Sequence, residues 1–344
     1  MADGRFRTGL ARDQAGAVRL VVALGGNALS GPLRGSDTAD IEARLQPIAH
    51  DLARLAVEHE VVVTHGNGPQ IGHLAAAHAS VGDDIPLDVV GAESDGMLGY
   101  LIESAINDAA SSVGVDRDVV TILTRVIVDA ADPAFERPTK PIGPAYDEPA
   151  MRGLSSLRNW NFVKVPTQHA RGGAPAYRRV VPSPVPRGIR PRRAIAELLG
   201  SGHVVICGGG GGIPVTIDAQ GRQDGVEAVV DKDLTSTQIA IDVAADALLL
   251  LTDVGGVYRN FGRHDARLLS TIDRTIADSL DLAEGSMRPK VDAAIAFEES
   301  THRSAAIGAA DQLLAVVAGT AGTHVHHGVD TPRDEKATAK ARRQ

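Results

Sequence analysis

The sequence contains a single cysteine, Cys207, in 344 residues, and aromatic side chains make up only 3% of it. One cysteine excludes an internal disulfide, and no Cys/His cluster has the spacing of a zinc site. The scarcity of aromatics argues against a stacking surface for single-stranded nucleic acid. No apolar run approaches the roughly 20 residues of a membrane span, and the first residues lack the apolar region of a signal peptide. We therefore expect a cytoplasmic protein that binds no membrane.

The net charge of the chain also argues against binding of nucleic acid. The chain has 35 basic and 43 acidic residues, which gives a net charge of −8. An acidic protein is a poor non-specific binder of nucleic acid or of an anionic membrane, so any phosphate site needs a local positive charge. The core must consist of Val, Ile, Leu and Ala, which suits helices packed on a parallel sheet.

Apolar patterning predicts alternating strands and helices. Strands are predicted at 20–24, 61–64, 119–128, 203–207, 247–252, 305–307 and 312–317, and helices at 40–59, 69–79, 92–110, 194–200 and 290–299. This alternation predicts an α/β fold with a mostly parallel sheet covered by helices on both faces. The unpatterned ends, 1–18 and 331–344, are predicted to be mobile tails.

Residues 132–192 interrupt the alternation. Most of the prolines and the only tryptophan, Trp160, lie in this segment. Proline disrupts both helices and inner strands, so the segment is not a regular βα unit. We interpret it as an inserted lid subdomain, with a disordered insertion as the alternative.

Three glycine-rich turns follow predicted strands. The first contains Gly25, Gly26 and Asn27, the second contains Gly66, Asn67 and Gly68, and the third is the run 208–212. Glycine lets several backbone N–H groups converge on one anion, and α/β folds bind ligands at the carboxyl edge of the sheet. In the third turn, Gly209 and Gly210 are expected to approach a ligand closely. A tight turn without a ligand remains the alternative for the first. His65 is interpreted as a structural histidine rather than a general base, because no carboxylate is nearby in sequence.

Three lysines have unusual neighbours. Lys140 lies between prolines, Lys232 lies between Asp231 and Asp233, and Lys290 follows Pro289 at a predicted helix start. Each alone is typical of a solvated surface lysine. Together they fit phosphoryl transfer, in which positive charge stabilises the transferring oxygens. The sequence has neither a Walker A motif nor the protein-kinase motifs.

With these elements in place, the chain resembles the amino acid kinase superfamily and, within it, the carbamate kinases. The resemblance runs from about residue 20 to 322 and is carried by ALGGNAL, VVTHGNGPQIG, GAESDGMLGYLIE, DPAFERPTKPIGPAY, RRVVPSP, CGGGGGIPV, GVEAVVDKDLTS, LLLTDVGGVYRNFG, GSMRPKVDAAIAF and AGT. The lid element PTKPIGP is the specific part, because other members of the superfamily lack it.

The resemblance implies a three-layer α/β/α sandwich and a homodimer. It divides the domain at 19–330 into an acceptor-binding lobe, 19–195, which includes the lid, and a nucleotide-binding lobe, 196–330. The implied reaction is reversible phosphoryl transfer between ATP and carbamate, running physiologically toward ATP. Mg²⁺ would accompany the nucleotide, held mainly by phosphates and water. Arginine metabolism is one implied setting, but the residues do not distinguish arginine, agmatine or purines as the source of carbamoyl phosphate.

The resemblance also implies roles for individual residues. Carbamate and the transferring phosphoryl group would lie in the first two glycine turns, and Lys140 would reach them from the lid. Lys232 and Lys290 would neutralise phosphate charge, with Asp231 and Asp233 organising the lysines or the magnesium. The nucleotide pocket would be lined by Thr252, Asp253, Gly256, Val257, Tyr258, Met287 and Pro289.

Three positions depart from the family pattern. Asp95 replaces a glutamine, Gly255 replaces an aspartate, and Arg288 replaces a glycine. Asp95 is expected near the dimer contact or the acceptor loop, and Arg288 either touches the nucleotide or points outward. A kinase of another small carboxylate, such as acetylglutamate, and a catalytically silent ligand sensor remain alternatives.

Overall fold

The structure is a computed structural model, and it describes residues 17–26, 29, 38–165, 176–283 and 285–326. The predicted tails, 1–18 and 331–344, fall outside the described residues except for Ala17 and Val18. The strands are β1 (Arg19–Leu24), β2 (Glu60–His65), β3 (Val119–Ile122), β4 (Arg125–Val128), β5 (Lys140–Tyr146), β6 (Asn161–Val165), β7 (Ala176–Val181), β8 (Pro186–Arg190), β9 (Val204–Cys207), β10 (Ile213–Ile217), β11 (Gln223–Gly225), β12 (Ala247–Thr252), β13 (Tyr258–Arg259), β14 (Arg267–Leu268), β15 (Thr271–Ile272), β16 (Ser304–Ala309) and β17 (Thr323–Val325).

The α-helices of the described residues cover most of the connections between these strands. They are α1 (Thr38–Glu58), α2 (Gly68–Val81), α3 (Leu87–Val113), α4 (Glu148–Arg158), α5 (Arg192–Gly200), α6 (Lys232–Asp242), α7 (Arg274–Asp278), α8 (Met287–Thr301) and α9 (Leu313–Val317).

An eight-stranded sheet forms the middle layer of the molecule. Its strand order is β15-β17-β16-β12-β1-β2-β9-β3, and only the pair β16 and β17 is antiparallel. The central strands β1, β2 and β12 are almost completely buried, as expected for parallel strands covered on both sides. The predicted mostly parallel α/β fold is confirmed.

Alternate residues of β1 face two separate cores. Leu20, Val22 and Leu24 pack with helices α1, α3 and α9, whereas Val21 and Ala23 pack with α5, α6 and α8. Successive side chains of a strand point to opposite faces, so one strand contributes to both layers. The arrangement is the predicted three-layer α/β/α sandwich.

Two of the predicted strands are wrong. The apolar stretch 119–128 is broken into β3, in the large sheet, and β4, in a second sheet of order β11-β10-β4-β8. The break is fixed at Thr124, whose carbonyl accepts the Ile213 amide and whose hydroxyl accepts the Gly208 amide. The stretch 312–317 forms a 3-10 turn and helix α9, because a short apolar run fits either a strand or a helix by pattern alone.

The described part of 140–181 forms a small layer of its own, whereas β8, which also lies within 132–192, joins the second sheet beside β4. Strands β5, β7 and β6 make an antiparallel sheet, and α4 contacts β6 and β7. This sheet contacts α2 at Gly72, where an added Cβ would lie 2.0 Å from the Cα of Gly143. The contact carries the first residue of β5, Lys140, to the carboxyl edge of the large sheet.

Candidate active site

A cleft of about 670 Å³ lies where β1, β2 and β12 end. The ends of parallel strands share one edge of a sheet, so turns distant in sequence meet there. The sequence-predicted residues that line the cleft are Gly25, Gly26, Gly66, Asn67, Gly68, Lys140, Gly210, Asp231, Lys232, Asp233, Thr252, Asp253, Gly256, Tyr258, Met287, Pro289 and Lys290. Asn27 lies outside the described residues, and Gly209 and Val257 do not line the cleft.

The first two glycine turns are in direct contact. Leu24 and His65 are register partners at the ends of β1 and β2, so the turns that follow them emerge side by side. A Cβ on Gly66 would lie 2.9 Å from the Gly26 nitrogen and 3.1 Å from Cδ of Lys232. A side chain at position 66 would therefore separate the two turns and displace a lysine.

The third glycine turn is shaped mainly by its own packing. Gly208, Gly210, Gly211 and Gly212 all have positive φ, between 62° and 93°. Only Gly210 lines the cleft, and an added Cβ there would lie 2.1 Å from Nδ2 of Asn67. Protein atoms therefore crowd this turn, and this crowding and the backbone conformation both favour glycine. The close approach of a ligand to Gly209 and Gly210 stays a prediction.

Two carboxylates connect the three lysines. Asp233 accepts a hydrogen bond from Nζ of Lys232 through Oδ1 at 2.5 Å and from Nζ of Lys290 through Oδ2 at 3.0 Å. Lys140 donates to Oδ2 of Asp231 at 3.1 Å. Asp231 also caps helix α6, since its Oδ1 accepts the backbone amide of Asp233 at 2.9 Å. A single helix start therefore organises lysines from three distant parts of the chain.

Burial and charge act against each other in this cluster. Burial alone would raise the pKa of Asp233, but the charges of Lys232 and Lys290 outweigh it and lower the pKa to about 2. Burial, together with the charge of Lys290, lowers the pKa of Lys232 although Asp233 opposes the shift. Lys290 and Asp233 both line the cleft, and the ammonium group of Lys290 offers positive charge to an incoming anion.

Another wall of the cleft is formed by the turn after β12 and the start of α8. Thr252 and Asp253 lie at the end of the strand, and the Thr252 hydroxyl donates to Asp253 at 3.0 Å. Val257 is fully buried and its amide donates to Oγ1 of Thr323, so this residue supports the turn from behind. The side chains of Met287 and Pro289 meet the cleft from the helix start.

Sequence reasoning missed several residues that line the cleft. They are Pro69, Pro141, Ile142, Val229, Val254, Phe261, Asp281, Leu282, Ala283, Gly285 and Ser286. The segment 281–286 directly precedes the helix that carries Lys290, and its Gly285-Ser286 pair is a turn signal that could have identified it. Phe261 lies 5.6 Å from Tyr258 between ring centroids and is 66% exposed, which is unusual in so aromatic-poor a chain.

The three family departures occupy different environments. Asp95 is buried beneath the third glycine turn, with Oδ1 3.3 Å from Nε2 of His65. Arg288 points away from the cleft and pairs with Asp292 at 3.1 Å and Asp278 at 3.4 Å. A Cβ on Gly255 would lie 3.1 Å from the Tyr258 hydroxyl.

The described residues contain no cluster of three or more His, Cys, Asp or Glu side chains suited to a metal ion. The carboxylates of Asp231 and Asp233 are engaged by lysines, while Asp253 and Asp281 also line the cleft. These oxygens are compatible with a hard cation that brings most of its ligands with it. Across the described part of the chain, no helix combines the length and apolar character needed to cross a bilayer.

Comparison with known proteins identifies similar chains over nearly the whole length. The model of the amino acid kinase family matches residues 18–308. The carbamate kinase of Haemophilus influenzae is 39% identical over 313 residues, covering 90% of this chain and 96% of that protein. The carbamate kinase of Rhizobium meliloti is 40% identical over 314 residues, covering 89% of this chain and 92% of that protein. A structure of Giardia lamblia carbamate kinase bound to AMP-PNP superposes with a TM-score of 0.80 at 32% identity, covering 90% of this chain and 98% of that one.

Proposed function

Since the chain belongs to the amino acid kinase family, we propose that it transfers a phosphoryl group reversibly between ATP and carbamate. Similarity to carbamate kinases over about nine-tenths of the chain supports this function and makes the protein a phosphotransferase. The observation that carries the proposal is the lysine cluster: Lys140, Lys232 and Lys290 converge on Asp231 and Asp233 beside a glycine-lined cleft.

In the direction of ATP synthesis, a terminal oxygen of ADP attacks the phosphorus of carbamoyl phosphate, and the bond from phosphorus to the carbamate oxygen breaks. Negative charge spreads over the transferring oxygens, so fixed positive charges lower the barrier. We assign this stabilisation to Lys232 and Lys290, because Asp233 holds both ammonium groups at the cleft wall.

Lys140 is assigned to the acceptor side of the cleft. It is the first residue of β5, and the contact of Gly72 with Gly143 carries this strand against α2. We propose that the layer formed by the described part of 140–181 acts as a lid, which brings Lys140 over the bound carbamoyl phosphate and restricts water.

Different walls of the cleft suit different parts of the substrates. The turns with Gly26 and Gly66 offer backbone groups without side chains, which fits a small anion such as carbamate. Asn67 would donate to it, and residues 252–258 with Met287 and Pro289 would hold the nucleotide. The lysine contacts of Asp231 and Asp233 favour a role for these carboxylates in organising lysines over a role as metal ligands.

Mg²⁺ is part of the proposal as a companion of the nucleotide. When bound, it would neutralise charge on the nucleotide phosphates, whose oxygens would supply most of its ligands. A homodimer, a cytoplasmic location and a place in arginine metabolism are further proposals that rest on the family likeness.

The direct test measures, in a coupled assay, the formation of ATP from ADP and carbamoyl phosphate in the presence of Mg²⁺. We expect turnover that depends on both substrates. Undetectable turnover by protein that is folded, as judged by circular dichroism, would contradict the function. A thermal-shift panel with carbamoyl phosphate and N-acetylglutamate then separates a different acceptor from a silent ligand sensor, which would bind nucleotide without turnover.

A further inference from the structure

A buried imidazole–carboxylate pair lies behind the cleft. His65 ends β2 and Asp95 lies on α3, and their side chains are 0% and 2% exposed. Nε2 of His65 is 3.3 Å from Oδ1 of Asp95. Within the described residues, both ring nitrogens of His65 and Oδ2 of Asp95 have no hydrogen-bond partner, so the approach of Nε2 to Oδ1 is a close polar contact and not a hydrogen bond. Neither residue lines the cleft, so the pair takes no direct part in the chemistry assigned above.

A pair of this kind is costly to maintain. Taking an ionised carboxylate out of water costs several kcal/mol unless a partner compensates, and unpaired buried polar atoms add to the cost. Burial, and then the negative charge of Asp95, raise the pKa of Cys207, so this neighbouring thiol stays uncharged. The contacts of the pair indicate what it supports in the fold.

The pair is packed against the third glycine turn. A Cβ on Gly209 would lie 1.6 Å from Oδ1 of Asp95 and 2.5 Å from Nε2 of His65. The next residue, Gly210, lies against the side chain of Asn67 and lines the cleft. The height of the turn above the sheet is thus set by the two side chains beneath Gly209.

The same turn of α3 also holds the second glycine turn. Ser94 accepts a hydrogen bond from Nδ2 of Asn67 at 2.6 Å and donates to the carbonyl of Gly91 at 2.8 Å. Two successive residues of one helix therefore contact the two turns, Ser94 through Asn67 and Asp95 through Gly209. Because a helix is rigid, the two turns are fixed relative to each other.

We propose that Asp95, together with His65, is a positioning residue for the acceptor end of the cleft: the pair supports Gly209 so that Gly210 and Asn67 face the bound carbamoyl phosphate. This inference rests on the proposed function. It also gives the family departure at position 95 a role, since the carboxylate both fills the space beside Gly209 and faces His65.

The test uses Gly209→Ala, Asp95→Ala and the double variant in the full chain. Gly209 does not have positive φ, so alanine fits its backbone, and the three atoms nearest to its added Cβ all belong to the pair. The matched control is Gly96→Ala, next to Asp95 on α3, where an added Cβ has no neighbour within 4 Å.

Each single variant should raise KM for carbamoyl phosphate about 10- to 100-fold, because small misplacements of positioning groups have effects of that size. KM for ADP should change by less than about twofold, since the nucleotide end does not touch the pair. In the double variant the alanine methyl at 209 occupies space that Asp95 vacates. The fold-increase in KM for carbamoyl phosphate should therefore be smaller than the product of the fold-increases in the two single variants.

Unchanged KM for carbamoyl phosphate in folded variants, or equal changes for both substrates, would overturn the positioning role. If Asp95→Ala does not fold, Gly209→Ala decides alone, because it retains both side chains of the pair and displaces them only at their contact with residue 209. If the native protein itself shows no turnover, the proposed function fails. The positioning role is then tested by the change in Tm on adding each ligand. Carbamoyl phosphate should no longer raise the Tm of the variants while ADP still does, and a rise with both ligands would overturn the positioning role.

Discussion

Asp233 is the residue on which the charge distribution of the cleft depends most. Each of its oxygens accepts a hydrogen bond from a different lysine, one adjacent in sequence and one 57 residues away. The carboxylate is about 5% exposed, so water screens these contacts little. The lysines are consequently held in place before a substrate arrives, which is what electrostatic stabilisation of a transition state requires.

Replacing Lys290 with alanine tests its catalytic role. Removing one preorganised positive group should lower kcat about 100-fold or more in the ATP-forming assay. The matched control is Arg288→Ala on the same helix, because Arg288 pairs with Asp278 and Asp292 and does not line the cleft. Equal loss of activity in the two variants would argue that the helix, and not the ammonium group, matters.

The low pKa of Asp233 predicts a specific acid sensitivity. Its pKa in the folded protein is about 2, below the usual value of 3.8, so its ionised form stabilises the fold above pH 4. That contribution, about 2 kcal/mol by linkage, is lost as the pH falls from about 4 toward 2. Urea unfolding at a series of pH values should show it.

The matching variant is Asp233→Asn. It leaves two buried lysines without their carboxylate, so we expect a loss of about 3–5 kcal/mol at neutral pH. The decline between pH 4 and 2 should also be shallower than in the native protein. An unchanged acid slope in the variant would show that other carboxylates cause the decline.

At the scale of elements, the decisive contact is that of α2 with β5. Gly72 has no room for a side chain, and a Cβ on Gly143, which has positive φ, would lie only 3.1 Å from the Gly72 carbonyl oxygen. The strand that begins with Lys140 is therefore seated directly on the helix that begins with Gly68 and Pro69. We therefore expect the second glycine turn and β5 to move as one unit, which would couple the acceptor site to the proposed lid.

Replacing Gly72 with alanine should separate the two elements. The added methyl forces β5 away from α2 and carries Lys140 out of position, so kcat should fall about 10-fold or more. Gly153→Ala is the control, since that glycine lies on α4 of the same layer and an added Cβ meets nothing within 4 Å. If both variants have native kcat, the contact does not position the lid strand.

At the scale of the whole molecule, one edge of the large sheet carries exposed apolar side chains. Tyr100, 68% exposed, lies on α3, and Leu123, 50% exposed, directly follows the edge strand β3. The carboxylate of Glu103 accepts the backbone amide of Thr121 at 3.1 Å and so occupies a donor of that strand. We therefore expect the proposed dimer to form through side chains at this edge and not by pairing of strands.

Sedimentation should give a species of about 72 kDa, twice the 35.8 kDa of one chain. Tyr100→Glu places a charge in the proposed contact and should shift the protein toward monomer. Leu157→Glu is the control, because Leu157 is 77% exposed on α4, away from this edge. A monomeric native protein, or a dimer unaffected by Tyr100→Glu, would rule out this contact.

Much of the fold could be predicted from local patterns. The strand 247–252 has the predicted limits, and the predicted first helix differs from α1 by two residues at its start and one at its end. Buried parallel strands and amphipathic helices leave periodic traces in the sequence, and glycine marks the turns between them. The two wrong strands are short apolar runs, for which the period is ambiguous and the tertiary surroundings decide.

By itself, the sequence determined the order of strands and helices, the glycine turns at strand ends and the candidate lysines, because each leaves a signal within a few neighbouring residues. Only the tertiary structure decided that one carboxylate holds Lys232 and Lys290, that Asp95 meets His65, and that Arg288 points away from the cleft. These pairings join residues on different elements, and local periodicity contains no information about which elements pack together. The chemistry of the cleft depends on those pairings, so its residue types were predictable and their partners were not.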